Sequence, residues 1–306
     1  MALTEAVATT SRASPTKRGR WGLSAITPAS KYYWIRLLAQ NAAAVASLGF
    51  LLLMLLIALL APTIAPYDPN FVNPADRLDP PSSKYWFGTD DLGRDQFSRV
   101  IFGLRASVAV GAMSVVLAMV VGVPLGLLAG YYRLVDPLVS RLADTLLAFP
   151  FLVLAVGLAA ILGPSLATAT ISVGVAQVPT VVRVTRSEAL RLRGLDFVAA
   201  AIADGASDAV VLGRHILPNA VNTLIVQATV IAPVAIIGEA VLSFLGLGVR
   251  PPTPSLGVML SSAQPFFRDG PWMAVFPGVA IVVLTLALNL LGDGTRDAFD
   301  PKESRR

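Results

Sequence analysis

Six stretches of this chain are each apolar enough, and long enough, to cross a lipid bilayer. A helix needs about 20 apolar residues to pass through the hydrocarbon core. The stretches are residues 42–61, about 106–130, about 145–163, 164–182, about 220–249 and about 272–292. Lipid offers no partner to backbone amides, so such runs must close their hydrogen bonds within helices. The expected fold is an all-α membrane protein, a six-transmembrane-helix bundle. Composition agrees: 55% of the 306 residues are hydrophobic and 14% are charged, against about 25% charged in soluble domains. Gly163-Pro164 divides the third stretch from the fourth, because proline suits the first turn of a helix. Pro150, Pro179, Pro233 and Pro277 fall in or near spans, where neighbouring helices can satisfy the carbonyls a proline frees.

Orientation follows from Lys and Arg. With the N-terminus inside, 17 of the 24 basic residues lie in inside segments and seven outside, as the positive-inside rule requires. Both termini are then cytoplasmic in a multi-pass chain. Residues 1–35 are rich in Ser, Thr, Ala and Arg and read as a disordered tail. Tyr32, Tyr33 and Trp34 beside Lys31 and Arg36 suit the membrane interface. The net charge of +5 follows topology and forms no patch, so no nucleic-acid partner is expected. The absence of cysteine excludes disulfides and thiolate chemistry.

Two polar segments stand out. The loop 62–105, external in this topology, begins with Pro62, Pro66 and Pro69. A turn at Gly88-Thr89-Asp90 then leads into a helix with Phe97, Val100, Ile101 and Leu104 at helical spacing. Arg94, Arg99 and Arg105 interleave, which predicts an amphipathic interfacial helix. The second segment, 187–218, is a compact cytoplasmic elbow between apolar runs. Asp196 is placed to cap a short helix from Phe197 to about Ala203. Gly205 can take the left-handed conformation that stops it, Ser207 can cap the next helix, and Pro218 marks the entrance to the fifth span. Ala199, Ala200 and Ala201 offer a small surface that a groove could approach closely. Local physics alone leaves docking and an ordinary hairpin both open.

Several motifs carry a family resemblance. The run FGTDDLGRDQFSRVIFGLRASVAVG (residues 87–111) resembles the opening of the transmembrane domain of peptide/nickel-type permease subunits of bacterial ABC importers. Gly205 with Leu217-Pro218 resembles that family's coupling-loop pattern. Leu242 to Gly248 and Asn289 to Pro301 resemble its fifth span and its C-terminal end. Ala199 stands where the pattern has an acidic residue, His215 where it has isoleucine, and Leu256 where it has tryptophan.

The resemblance covers nearly everything after residue 35 and identifies residues 36–306 as a permease domain, the second permease of a pair. It implies a fold of the type I ABC importer kind and transport of peptides or related solutes across the bacterial cytoplasmic membrane. Implied partners are a homologous permease, two ATP-binding subunits, an external solute-binding protein and the bilayer. Implied ATPase-coupling residues are Ala199, Ala200, Ala201, Asp204, Gly205, Ala206, Ser207, Leu217 and Pro218.

Glu239 interrupts the fifth apolar run. An ionisable group in a span marks a translocation path by default, though this one could instead reach the outer interface. Asp144 follows Arg141 at a helical ion-pair spacing. No lysine follows a glycine anywhere, so the P-loop motif is missing, and no acid–base or nucleophile constellation is legible. The chain is expected to bind no cofactor or metal and to be no enzyme, with ATP used by partner subunits. The competing class is an ion- or proton-coupled secondary transporter, which calls for paired intramembrane charges and internal repeats.

Overall fold

The computed structural model describes Ala39 and residues 41–299; the tail 1–35 and the Tyr32–Trp34 anchor lie outside them. Among the described residues there is no β-strand. The principal helices are α1 (Ala42–Leu59), α2 (Gln96–Tyr131), α3 (Asp136–Leu147), α4 (Phe151–Leu162) and α5 (Leu166–Arg193). They continue with α6 (Asp196–Ala203), α7 (Leu217–Phe244), α8 (Leu256–Ala263) and α9 (Trp272–Phe299). Five are long and apolar enough to cross a membrane: α1, α2, α5, α9, and α7 with its lead-in from Asp208.

The third expected span is different. It is a pair, α3 and α4, bent by 92° at residues 148–150. Pro150 does more than kink this span. Its own φ of −54° and ψ of 135° end helical geometry, and α4 starts afresh behind it. Span four also begins differently from expectation. Pro164 precedes the helix, and Ser165 caps it by accepting the Thr168 N–H at 3.0 Å.

Caps set the other starts. The Asn41 side chain accepts the Ala43 and Ala44 N–H groups at 3.1 Å. Asp95 caps α2, accepting from the Ser98 N–H at 2.8 Å and the Ser98 hydroxyl at 2.6 Å. With 36 residues, α2 is about 54 Å long, well beyond the roughly 30 Å hydrocarbon core. Its first turns, which carry Arg99 and Arg105, belong with the preceding loop.

The bundle is organised on α2 and α5, which run parallel. Ser114 bonds the Thr170 carbonyl. Further along, Gly122, Gly126 and Gly130 face Val181, Thr185 and Ala189 in turn. A methyl group on any of these glycines would stand 2.5–2.7 Å from a side-chain carbon of α5. Small residues every fourth position let helix backbones approach closely where lipid supplies no hydrophobic drive. The antiparallel α7 closes the core. Val110, Val173, Ala235 and Leu242 pack at one level, and Leu127, Ala189, Leu192 and Leu224 at another. α1 lies outermost along α9, where Gly294 admits Ala44.

Candidate functional site: the elbow and the buried acid

The elbow hangs from the end of α5. Leu195, extended at φ −91° and ψ 149°, is the N-cap of α6, and Asp196 is the first helical residue with no side-chain capping bond. The expected Asp196 cap is thus displaced by one position. Its charge still sits in the first turn, where the helix dipole favours an anion. The stop is a Schellman motif: the Gly205 N–H bonds the Ile202 carbonyl and the Ala206 N–H the Ala201 carbonyl, both at 3.0 Å. Gly205 sits there at φ 84°, where a side chain is strained. Ser207 occupies the next N-cap position but makes no side-chain capping bond.

The elbow has two faces. Val198 is fully buried in a cluster with Tyr131, Ala189, Val211 and Ile216, and Ala201 is buried beside it. Ala201 is therefore a packing residue and does not share the outward surface expected for all three alanines. Ala199, Ala200, Ile202, Asp204 and Gly205 face outward. A Cβ added at Gly205 meets nothing within 4 Å.

Polar contacts fix this unit to its neighbours. The Tyr131 hydroxyl, at the end of α2, donates to Asp208 at 2.8 Å. The Arg193 guanidinium lies 5.3 Å from the Tyr131 ring centre. The segment Val211–Ile216 winds as a wide π-helical turn, and Leu217-Pro218 then opens α7 with proline in its first turn. The His215 carbonyl accepts from the Asn219 side chain at 2.6 Å. The elbow is therefore bound to the ends of α2, α5 and α7 together.

At the opposite end, the loop before α2 is folded around Asp90. Its carboxylate accepts the Leu92 and Arg94 N–H groups at 2.9 Å and pairs with Arg94 at 2.6 Å and Arg99 at 3.5 Å. Arg99 also donates to the Pro69 carbonyl. The expected amphipathic interfacial helix is corrected for two of its three arginines: Arg94 and Arg99 are buried in the contacts that hold the loop down, while Arg105 is exposed. Trp272 donates to the Thr89 carbonyl at 2.9 Å, and Phe87 stacks on Phe276 at 3.9 Å between ring centres, so the loop is docked on α9.

Further out, Asp76 accepts from Lys84, Tyr85 and Asn73. Hydrogen bonds from Lys84 and then Tyr85 hold the Asp76 carboxyl below its ordinary range. The same bond raises Lys84, and burial raises Tyr85.

Glu239 is fully buried and does not reach an interface. Ser107 of α2 donates to it at 2.7 Å, Ser243 of α7 at 2.8 Å and Ser255, the N-cap of α8, at 3.0 Å. Ser243 in turn accepts the Val249 N–H. Three hydroxyls thus donate to the two carboxyl oxygens of Glu239. In this conformation Glu239 ties the hairpin between α7 and α8 to α2. Asp144 pairs with Arg183 of α5 at 2.6 Å, which corrects the expected Arg141 pair.

Four features escaped the sequence reading: the glycine seam, the α3–α4 break, the Asp136–Arg186 pair and the Tyr131–Asp208 bond. Glycines at every fourth position of an apolar run were a usable signal for the first. Pro150 was a local signal for the break, while the two polar pairs depend on contacts distant in sequence.

The comparisons with known proteins bear on this geometry. Residues 122–305 match the family described as binding-protein-dependent transport system inner membrane component. Residues 31–81 match the N-terminal TM domain of oligopeptide transport permease C. The chain belongs to this permease family.

A dipeptide transport system permease protein DppC of Alkalihalophilus pseudofirmus is 44% identical over 266 residues, covering 87% of this chain and 88% of that one. A glutathione transport system permease protein GsiD of Pectobacterium atrosepticum is 43% identical, covering 88% and 90%. The DppC of Haemophilus influenzae is 42% identical, covering 90% and 95%. The fold is that of a chain in an inward-facing MetNI methionine ABC transporter. The two share a TM-score of 0.55 at 20% identity, over 66% of this permease and 97% of that chain. The permease is a multi-pass inner membrane protein and the membrane subunit of an ATP-binding cassette importer. That membership sets aside an ion-coupled secondary transporter. In this family ATP is used by separate ATPase subunits, alongside another permease and a binding protein.

Proposed function

We propose that the permease imports peptides or related small solutes as the second permease of a pair. The names of its relatives, which include dipeptide and glutathione permeases, support this substrate class. In this reading residues 36–306 form the permease domain and both termini are cytoplasmic. The loop 62–105 faces outward, toward a solute-binding protein. In this reading ATP is used by the partner subunits, and the described residues hold no group of side chains that could bind a metal ion.

The observation that carries the mechanism is the two-faced elbow. Ala199, Ala200, Asp204 and Gly205 are free on the outside, while Val198, Ala201 and Ala206 pack on helix ends of the bundle. An ATP-binding subunit seated on the outer face would move α2, α5 and α7 through the inner one. ATP-driven closure of two such subunits would then rock the paired permeases and alternate access to the cavity between them. Leu217-Pro218 and Ser207 act within this unit by fixing its exits.

The test is reconstitution of the full importer in vesicles, followed by ATP-dependent uptake of labelled dipeptides, oligopeptides, glutathione and nickel. Binding of the same panel to the solute-binding protein would be measured alongside. Uptake of a peptide-class solute is expected. Transport of nickel alone would overturn the substrate class.

A further inference from the structure

We propose that α3 lies along the membrane surface as an amphipathic helix, its leucine ridge seated in a leaflet of anionic lipid. Three observations carry this. First, α3 crosses α5 and does not run beside it. Asp136 and Asp144, eight residues apart on α3, pair with Arg186 and Arg183, three apart on α5. At 1.5 Å per residue these separations are about 12 and 4.5 Å. The 92° bend from α4 agrees.

Second, the level is right. α5 carries no charge from Leu166 to Val182. Arg183 and Arg186 follow about 26 and 30 Å from its start, where a hydrocarbon core of about 30 Å ends. α3 is fastened to these two arginines, so it lies at headgroup depth. α4, with 12 residues, rises only about 18 Å. The three-residue linkers at each of its ends, at up to about 3.3 Å per residue, complete the crossing.

Third, the free face of α3 has the chemistry of a lipid-bound helix. Leu138 and Leu142, one turn apart on α3, are 74% and 59% exposed; Leu134, in the turn before the helix, is 95% exposed, and Phe149, in the bend after it, is exposed too. Asp136, Ser140 and Asp144 are occupied by each other and by α5. Arg133 and Arg141 flank the ridge and form no ion pair among the described residues. Leucines between uncompensated arginines are what an interfacial helix presents to acyl chains and anionic phosphates. The assignment to the cytoplasmic leaflet rests on the topology proposed above; the seating in lipid does not.

The chain has no cysteine, so nitroxide labels can be placed singly at L134C, L138C and L142C in the complete importer. The importer would be reconstituted in phosphatidylcholine vesicles with and without phosphatidylglycerol. Labels at 138 and 142 are expected to collide more with oxygen than with a water-soluble nickel complex, and to deepen when phosphatidylglycerol is present. R133Q with R141Q should abolish that deepening while the labels stay in lipid. Labels shielded from both oxygen and nickel would mean that another subunit covers the ridge, and would overturn the proposal. Labels that favour nickel would overturn it too. The readout is independent of transport, so a wrong substrate class leaves it standing.

Discussion

Ser107 on α2 donates its hydroxyl to Glu239 on α7 at 2.7 Å, and neither side chain is exposed. With Ser243 and Ser255 on the second carboxyl oxygen, this bond holds the start of α8 against the bundle. Glu239→Ala leaves three hydroxyls without their acceptor, at about 1–3 kcal/mol for each buried group left unsatisfied. Thermal unfolding of the purified importer should show a clear loss of stability. Glu239→Gln keeps the volume and one acceptor oxygen, so its loss should be smaller. An Ala variant that melts with the parent would show that the cluster contributes nothing.

The glycine seam predicts a steep size dependence. A Cβ on Gly126 would stand 2.5 Å from the Thr185 Cβ and 2.8 Å from the Val182 carbonyl oxygen. Neither can move without parting α2 from α5. Gly126→Ala should cost on the order of 1–3 kcal/mol, the usual range for overpacking, and Gly126→Val more. Gly157 of α4 has nothing within 4 Å of its Cβ position, so Gly157→Ala is the control and should be nearly neutral. Folded yield by size-exclusion chromatography measures both. Equal yields for the two alanine variants would contradict the seam.

The loop before α2 should loosen in acid. Bonds from Lys84 and Tyr85 hold the folded Asp76 carboxyl below its unfolded value. Its contribution is therefore fully present above the unfolded value near pH 4. It is lost as pH falls through the lower folded value. Hydrogen exchange across residues 73–90 should rise below about pH 4. Asp76→Asn should show fast exchange at neutral pH and a flattened acid response. Lys84 titrates in the opposite sense: its raised value means a contribution present at neutral pH and lost only in strong alkali.

The parts of the fold visible in the sequence were those set by local chemistry. Runs of apolar residues marked the long helices, and Gly205 followed by a polar turn marked the stop of α6. Pro218 marked the start of α7. Boundaries failed where tertiary contacts decide them. The spacing of Phe97, Val100, Ile101 and Leu104 announced a helix where α2 begins, but not that the loop would bury Arg94 and Arg99. The apolar run 145–163 read as one continuous span, but Pro150 breaks it, and α3, which mostly precedes that run, is turned aside and held by two Asp–Arg pairs distant in sequence. The partners of Glu239 were not legible because two of its three serines, Ser107 and Ser255, lie on other segments. Ala201 faces inward because of where Val198 docks, which three consecutive alanines cannot reveal.

Topology is open to direct labelling. The Lys/Arg asymmetry puts Ala75 outside and Ala200 inside, and the cysteine-free chain makes single probes clean. In intact cells an impermeant thiol reagent should modify A75C and leave A200C unmodified until the membrane is permeabilised. Modification of A200C from outside would invert the proposed arrangement.

Coupling is tested most sharply at Gly205. A side chain there meets nothing of its own chain within 4 Å, so the internal cost of substitution is backbone strain alone. At φ 84° that strain is on the order of 1–2 kcal/mol, and it is greatest for a β-branched residue. The glycine seam and the Val110–Leu242 core lie away from this turn, so Gly205→Val should insert and accumulate as the parent does. Its added bulk projects from the face on which an ATP-binding subunit is proposed to sit. Uptake should be lost, with weaker copurification of the ATP-binding subunits or ATP hydrolysis freed from transport, and Gly205→Ala should be milder. The neighbouring Ala201→Leu separates the two faces: Ala201 is buried, so this change should lower abundance before it affects coupling. If Gly205→Val transports at the parental rate with its ATP-binding subunits still attached, the outer face of the elbow is not where force enters the bundle.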